Sequence, residues 1–119
     1  MKRRKFNCPA EMTLSLIGGK WKAILLYNLR KGSKRFGELK RLSPGITSAT
    51  LTTSLKELER AGLITRSVRG GDRLNGVDYD LSERGASLKP VLYAAIRWGQ
   101  AEQTTYVQGE YGMAAFQQK

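Results

Sequence analysis

The chain has 119 residues, enough for one domain with a single hydrophobic core. Lysine and arginine total 21 against 10 acidic residues, so the formal charge is +11 and the isoelectric point is near 10.2. We therefore expect an acidic partner, nucleic acid ahead of an anionic membrane surface. Histidine is absent and there is one cysteine, which excludes an intramolecular disulfide, histidine-based catalysis and the usual zinc sites. We expect neither enzymatic activity nor a cofactor or metal.

Two features bear on where the protein acts. No apolar run approaches the ~18 residues that are needed to span a bilayer. Residues 1–5 are basic, but no apolar segment follows them as it would in a secretion signal. We therefore expect a cytoplasmic, nucleoid-associated protein in which residues 1–7 form a basic, mobile arm.

Two helices are predicted before residue 31. The first opens at Asn7–Met12, where Pro9 suits the first helical turn. Its apolar residues run to a Gly-Gly break: Met12, Leu14, Leu16 and Ile17. This is more apolar surface than a short helix can hide in one small core, so we expect it to pack on a second chain. Residues Lys20–Arg30 should form a core helix, with Trp21 as a core filler.

A helix-turn-helix is predicted over residues 35–61. Apolar residues at helical spacing indicate a short first helix over Lys34–Leu42, and Ser43-Pro44-Gly45 then breaks it. In this arrangement the first helix crosses the groove near the DNA backbone. Lys34 and Arg35 at its start are therefore candidate phosphate contacts.

The second helix of the pair carries the strongest indication of function. Leu51, Leu55 and Leu58 fall at i, i+4 and i+7, which predicts one buried stripe. Thr47 is the expected N-cap and Gly62 the expected stop. The opposite face is short, polar or cationic: Ala49, Thr52, Thr53, Lys56 and Arg60. No carboxylate occurs before Lys56, so this half can enter a groove lined with phosphates; an ordinary solvated helix face is the alternative.

An antiparallel hairpin, the wing, is predicted over residues 63–81, with strands at Leu63–Val68 and Val77–Leu81. Three glycines and an Asn-Gly pair make its tip flexible. Arg69 and Arg73 on the tip can reach a neighbouring groove or phosphate. The alternative is that they pair with nearby aspartates: Asp72, Asp78 and Asp80. The full set of candidate DNA-binding residues is Lys34, Arg35, Thr47, Ser48, Ala49, Thr52, Thr53, Lys56, Arg69 and Arg73.

A last helix, capped by Ser82, is expected to continue through Trp98, with Pro90 kinking or restarting it. We expect residues 8–85 to form the winged helix-turn-helix core and residues 86–119 a dimerisation helix and tail. The candidate dimer-interface residues are Met12, Leu16, Leu92, Ile96 and Trp98. The predicted fold class is α+β and mostly helical: a winged helix-turn-helix with a two- to three-stranded antiparallel wing and terminal dimerisation helices.

The order of these segments resembles the HxlR-type family of winged-helix transcriptional regulators, which is similar to the MarR group. The segments that carry the resemblance are Cys8-Pro9, Ile17–Lys22, Lys34–Leu39, Pro44–Thr47, Leu51–Glu59, Gly62–Arg66, Val77–Gly85, Leu88–Leu92 and Trp98-Gly99. They are colinear from Cys8 to about Gly99. The resemblance implies a homodimer on a pseudo-palindromic DNA operator, with the helix from Thr47 in the major groove. It also implies that Cys8 can sense oxidants or electrophiles; an inert buried cysteine is the alternative.

The sequence thus predicts a sequence-specific DNA-binding transcriptional regulator that acts as a homodimer, as a repressor, and in response to a thiol-modifying oxidant or a small ligand. The alternative is a winged-helix interaction module that binds an acidic protein or RNA without reading DNA sequence.

Overall fold

The computed structural model describes residues 4–68 and 76–107. Its elements follow in the order α1 (Pro9–Ile17), α2 (Lys22–Asn28), β1 (Lys34–Arg35), α3 (Phe36–Arg41), α4 (Ser48–Arg60), β2 (Ile64–Val68), β3 (Val77–Leu81), α5 (Glu83–Ala86) and α6 (Lys89–Val107). The chain divides into two compact units, residues 1–89 and 90–119.

The core of the first unit is built from aliphatic side chains, which lose most of their contact with water. These residues are Ile17, Leu25, Leu26, Leu29, Leu39, Ile46, Leu51, Leu55, Leu58, Leu63 and Ile64. Each such side chain that is fully buried contributes about 1.5–3 kcal/mol of transfer free energy. The three leucines of α4 predicted to be buried are among them, so the predicted orientation of this helix is confirmed.

The ends of α4 are set by local chemistry. The Thr47 hydroxyl oxygen accepts a hydrogen bond from the Thr50 backbone N–H at 3.1 Å, which confirms Thr47 as the N-cap. At the other end Gly62 has φ +78°, and the Leu63 N–H donates to the Leu58 carbonyl at 3.0 Å. This is a Schellman C-cap, in which the left-handed residue is glycine because it has no Cβ to clash.

The structure corrects the predicted start of the first helix of the pair. Lys34 and Arg35 are not helical but form β1, opposite Tyr79 and Asp78 of β3. The backbone of β3 offers them hydrogen-bonding partners that a helix start would not supply. The Glu38 carboxylate accepts a hydrogen bond from the Arg35 backbone N–H at 2.9 Å. This bond caps α3, which begins at the next residue, Phe36.

The three strands form one antiparallel sheet in the order β1-β3-β2. In the β2–β3 pair, Ile64 lies opposite Leu81 and Val68 opposite Val77, so the register keeps apolar residues side by side. The two predicted strands of the hairpin are therefore confirmed, and β1 adds a third strand to the sheet. Its tip, with Arg69 and Arg73, lies outside the described residues.

After the sheet, Ser82 ties the chain back to the end of α4. Its hydroxyl donates to the Gly62 carbonyl at 2.6 Å and accepts from the Gly85 N–H at 3.0 Å, so it caps α5 as predicted. A Cβ at Gly85 would overlap the Leu63 carbonyl oxygen, which explains the glycine. These contacts join the end of α4 to the start of α5.

In the second unit, α6 is a single helix with Pro90 in its first turn, so this proline restarts the helix rather than kinking it. Leu92 is buried, whereas Trp98 and Tyr106 are exposed, with ring centroids 6.1 Å apart. None of the helices within residues 4–68 and 76–107 is long and apolar enough to cross a membrane. The mixture of helices and one small antiparallel sheet confirms the predicted α+β winged helix-turn-helix fold.

Candidate nucleic-acid interface

The solvent-facing side of α4 carries the residues that the sequence predicts to meet DNA. All of these are exposed: Thr47, Ser48, Ala49, Thr52, Thr53 and Lys56. On the opposite side Leu51, Leu55 and Leu58 are at most 2% exposed. The helix therefore presents a narrow face of hydroxyls, methyls and one ammonium group, which fits the floor of a major groove without repelling phosphates.

Two carboxylates lie near the end of α4, and one of them is paired. Lys22 Nζ of α2 lies 2.9 Å from Glu57 Oε2. The hydrogen bond from Lys22 and its positive charge lower the pKa of the Glu57 carboxyl, with smaller contributions from Arg60 and Arg4. The pair partly offsets the negative charge that Glu57 would otherwise present near the exposed face of α4.

The turn between α3 and α4 is held by α2. Asn28 Nδ2 donates to the Leu42 carbonyl at 3.2 Å and to Ser43 Oγ at 3.4 Å, and Ser43 is 0% exposed. Gly45, with φ +92°, lies so close to the Trp21 ring that an added Cβ would be 3.9 Å from it. Sequence reasoning does not single out Asn28, because a hydrogen bond between distant residues leaves no periodic pattern.

Cations surround this helix-turn-helix. Lys34 is half-buried and Arg35 exposed on β1, and the Arg35 guanidinium lies against Gly76 at the base of the wing, where an added Cβ would overlap it. Lys40 and Arg41, exposed in the last turn of α3, were not among the predicted contacts. They lie at the end of the helix that the sequence predicts to cross the groove, a position where phosphate contacts are expected.

The candidate interface residues on the terminal helices are mostly accessible. Met12 is 44% and Trp98 61% exposed, and Leu16 and Ile96 are half-buried. Leu14 is 63% exposed and adds to the apolar surface of α1. Leu92, in contrast, is 4% exposed within the single chain. It offers almost no surface to a partner, so we leave it out of the proposed interface.

Cys8 is exposed and occupies the N-cap position of α1, with Pro9 at the first helical position as predicted. Within the predicted basic arm, the Arg4 guanidinium donates a hydrogen bond to Ser15 Oγ of α1 at 3.2 Å. Within residues 4–68 and 76–107, no cluster of three acidic or cysteine side chains is placed to hold a metal ion.

A helix-turn-helix, an antiparallel wing and an exposed helix face free of acids in its first half define a winged helix-turn-helix DNA-binding protein. Residues 16–106 match the HxlR-like helix-turn-helix family, and the chain belongs to this family. It is 46% identical over 110 residues to the uncharacterized HTH-type transcriptional regulator YkvN of Bacillus subtilis, covering 91% of this chain and 92% of the relative.

Solved structures agree with this assignment. The redox regulator HypR in its oxidized form superimposes with a TM-score of 0.73 at 44% identity, over 79% of this chain and 96% of that chain. The reduced form of the transcriptional regulator YodB from B. subtilis superimposes with a TM-score of 0.70 at 31% identity, over 88% of this chain and 100% of that chain. The chain is therefore a DNA-binding transcriptional regulator, as the sequence predicts, and the interaction-module alternative is not supported.

Proposed function

We propose that this regulator binds a pseudo-palindromic operator as a homodimer and represses transcription by occupying a promoter. The observation that carries the proposal is the orientation of α4: its leucines are buried and its acid-free face, around Thr52 and Lys56, is exposed. A helix in this orientation can place its N-terminal half against base edges while the rest of the unit lies along the backbone.

The side chains divide into two roles in this proposal. Thr52 and Thr53 carry a hydroxyl and a methyl group each, which suit hydrogen bonds to base edges and contact with thymine methyls. Lys56 and the other cations contact phosphates, which position the protein without reading sequence. The proposed contacts on α4 and its cap are Thr47, Ser48, Ala49, Thr52, Thr53 and Lys56. The proposed phosphate contacts elsewhere are Lys34, Arg35, Lys40, Arg41, Arg69 and Arg73.

Dimerisation is proposed from apolar side chains that the single chain leaves exposed or half-buried. Burying the apolar area on α1 and α6 is favourable, and a second copy of the chain presents the same apolar surface to bury it against. The proposed interface residues are Met12, Leu14, Leu16, Ile96 and Trp98. Two copies would then present two α4 helices to half-sites about one helical turn of DNA apart, roughly 34–36 Å.

The test is a salt titration of binding to a duplex that the protein selects from a random library. A dimer that neutralises ~6 to 10 phosphates should give a slope of log K against log salt of roughly −5 to −9. A flat response, or equal affinity for the selected duplex and a scrambled one, would contradict the proposal. Transcription in vitro from a promoter that contains the selected site then tests repression.

A second proposal concerns regulation through Cys8. Cys8 is exposed, and the similar proteins HypR and YodB are described as a redox regulator and as a transcriptional regulator crystallised in reduced form. Two Cys8 thiols from two chains can form one disulfide, with two electrons and two protons passing to an oxidant such as diamide. Diamide should then change operator affinity and produce a disulfide-linked dimer on a non-reducing gel, and Cys8→Ser should abolish both effects.

A further inference from the structure

Asn28 joins the end of α2 to the turn of the helix-turn-helix. Its two Nδ2 protons have two acceptors within reach, the Leu42 carbonyl at 3.2 Å and Ser43 Oγ at 3.4 Å. The Leu42 carbonyl belongs to the end of α3, where the last carbonyls have no partner inside the helix. One side chain therefore satisfies a helix-end carbonyl and a hydroxyl on adjacent residues.

The burial of Ser43 makes the loss of this hydrogen bond costly. Ser43 is 0% exposed, so its hydroxyl has no access to water, and leaving a buried hydroxyl without a partner is costly. The Ser43 carbonyl in turn accepts a hydrogen bond from the Ile46 N–H at 3.1 Å. This bond closes the turn over Pro44 and Gly45 and ties Ser43 to the segment that leads into α4, which begins at Ser48.

Helix α2 also contacts α4 itself, through the Lys22–Glu57 ion pair at 2.9 Å. Lys22 and Asn28 are six residues apart on α2, which corresponds to about 9 Å along its axis. Burial of leucines attracts α4 to the core but is not directional. These two polar contacts from α2, one to the turn before α4 and one to α4 itself, are directional and therefore favour one orientation of α4 over others.

We propose that Asn28 is a positioning residue for DNA recognition: its amide holds the turn before α4 and thereby sets the angle at which α4 meets the bases. The inference rests on the proposed function, because the angle has a consequence only if α4 reads sequence. Asn28 itself does not touch DNA in this proposal. Loss of its amide should reduce discrimination between sequences while leaving attraction to phosphates largely intact.

The decisive variant is Asn28→Leu, which keeps the size and the charge of the side chain but removes both donors. Binding is measured for the duplex that the wild-type protein selects from a random library and for a scrambled duplex of equal length and composition. We expect the ratio of the two affinities to fall about tenfold, comparable to one mismatched base pair in a specific site. The affinity for the scrambled duplex and its salt dependence should change little.

A merely structural role would give a different result. A variant that only loses stability has a lower unfolding temperature, but the folded molecules keep the wild-type affinity ratio. The ratio is therefore measured at a temperature where circular dichroism shows both proteins fully folded. Asn7→Leu is the matched control, because the Asn7 side chain also donates a hydrogen bond, to Glu11 of α1 at 3.3 Å, away from the helix-turn-helix. It should leave the ratio unchanged.

A second variant keeps the proposal falsifiable if Asn28→Leu does not fold. Ser43→Ala removes one of the two acceptors and should lower the ratio by a smaller factor. In both variants, hydrogen exchange at the Ile46 amide of the free protein should accelerate relative to that at Leu25 in α2, whose N–H donates to the Trp21 carbonyl. A native fold with an unchanged affinity ratio would overturn the proposal, whether or not Ile46 exchange changes.

Failure of the proposed function looks different from failure of this inference. If the wild-type protein selects no sequence from the library, the proposed function is wrong and Asn28 has no role in recognition. If the wild-type protein selects a sequence and Asn28→Leu binds it with the full preference, only the inference is wrong.

Discussion

Helices α4 and α1 both place apolar residues at helical spacing, but the structure treats them differently. In α4 the leucines are buried within the chain, and the face left to solvent is polar and cationic. In α1 only Ile17 is buried, and the exposed surface includes Met12 and Leu14. The exposed face of α4 therefore suits phosphates and base edges, whereas that of α1 suits another apolar surface.

The comparison shows that apolar spacing identifies a face of a helix but not what covers it. Helix α4 is covered by its own chain, since it contacts α2 and β2. For α1 the cover has to be inferred from exposure. The following experiments test whether the two faces differ as described.

The largest expected effect separates the two kinds of leucine. Leu55→Ala should lower the free energy of unfolding by about 2–5 kcal/mol, because it leaves a cavity in the core. Leu14→Ala should lower it by no more than about 0.5 kcal/mol in the monomer, because Leu14 already contacts water. Urea unfolding at low protein concentration measures both. Equal losses would show that α1 is packed as tightly as α4 and would remove the contrast.

The next largest effect concerns the exposed face of α4. Lys56→Glu should weaken binding to the selected duplex by about 10- to 100-fold, because it replaces an attraction to phosphate by a repulsion. The circular dichroism spectrum should stay native, since Lys56 is exposed and does not contribute to the core. Arg97→Glu, an equal charge change at an exposed position of α6, is the control. A native Lys56→Glu protein with undiminished affinity would refute the assignment of α4.

The apolar face of α1 is tested by an acid in its centre. Leu14→Asp should weaken self-association by about 1–2 kcal/mol, because an aspartate would be desolvated in the interface without a partner. Sedimentation equilibrium measures the change. Ser33→Asp introduces the same acid at an exposed position between α2 and β1 and should leave the association constant unchanged. Unaltered association in Leu14→Asp would place the dimer contact elsewhere.

How much of this could be predicted depends on the range of the interaction involved. The N-cap at Thr47, the Schellman end at Gly62 and the leucine stripe depend on neighbours within one or two turns, so the sequence alone predicted them. Lys34 and Arg35 were assigned to a helix because the strand that pairs with them, β3, comes much later in the chain. A local pattern contains no information about such a partner.

The site follows the same division. The exposed face of α4 was predictable from its spacing, whereas the Asn28 amide and the Lys22–Glu57 pair required the packing of α2 against the helix-turn-helix. Leu92 and Trp98 show the limit for interfaces. Both are large apolar residues on α6, but one is buried and the other exposed, and composition does not distinguish them.

A smaller effect is expected from the hydroxyls of α4. Thr53→Ala should change which bases are preferred within the operator half-site, by roughly 1 kcal/mol at one position, because it removes one polar contact to a base edge. Nonspecific affinity and the salt slope should stay as in the wild type. Selection from a random library with each protein measures the change. An identical selected sequence would indicate that Thr53 faces the backbone or solvent rather than a base.

The smallest effect concerns the polar contact that fastens α4 to α2. Lys22 lowers the pKa of Glu57 below its ordinary value of 4.5, first by its hydrogen bond and then by its charge. A carboxyl with a lowered pKa in the folded state stabilises the fold above its unfolded pKa, and this contribution disappears as the pH falls through the lowered value. The Glu57 carboxyl is exposed to solvent and Lys22 is only half-buried, so the contribution is small and should weaken in high salt. Wild-type protein should therefore be more stable than Lys22→Met near neutral pH, and the difference should vanish in acid well below pH 4.5.

Lys31→Met, at an exposed lysine after α2, is the control. If the difference persisted unchanged in acid, Lys22 would stabilise α4 through the packing of its side chain rather than through Glu57.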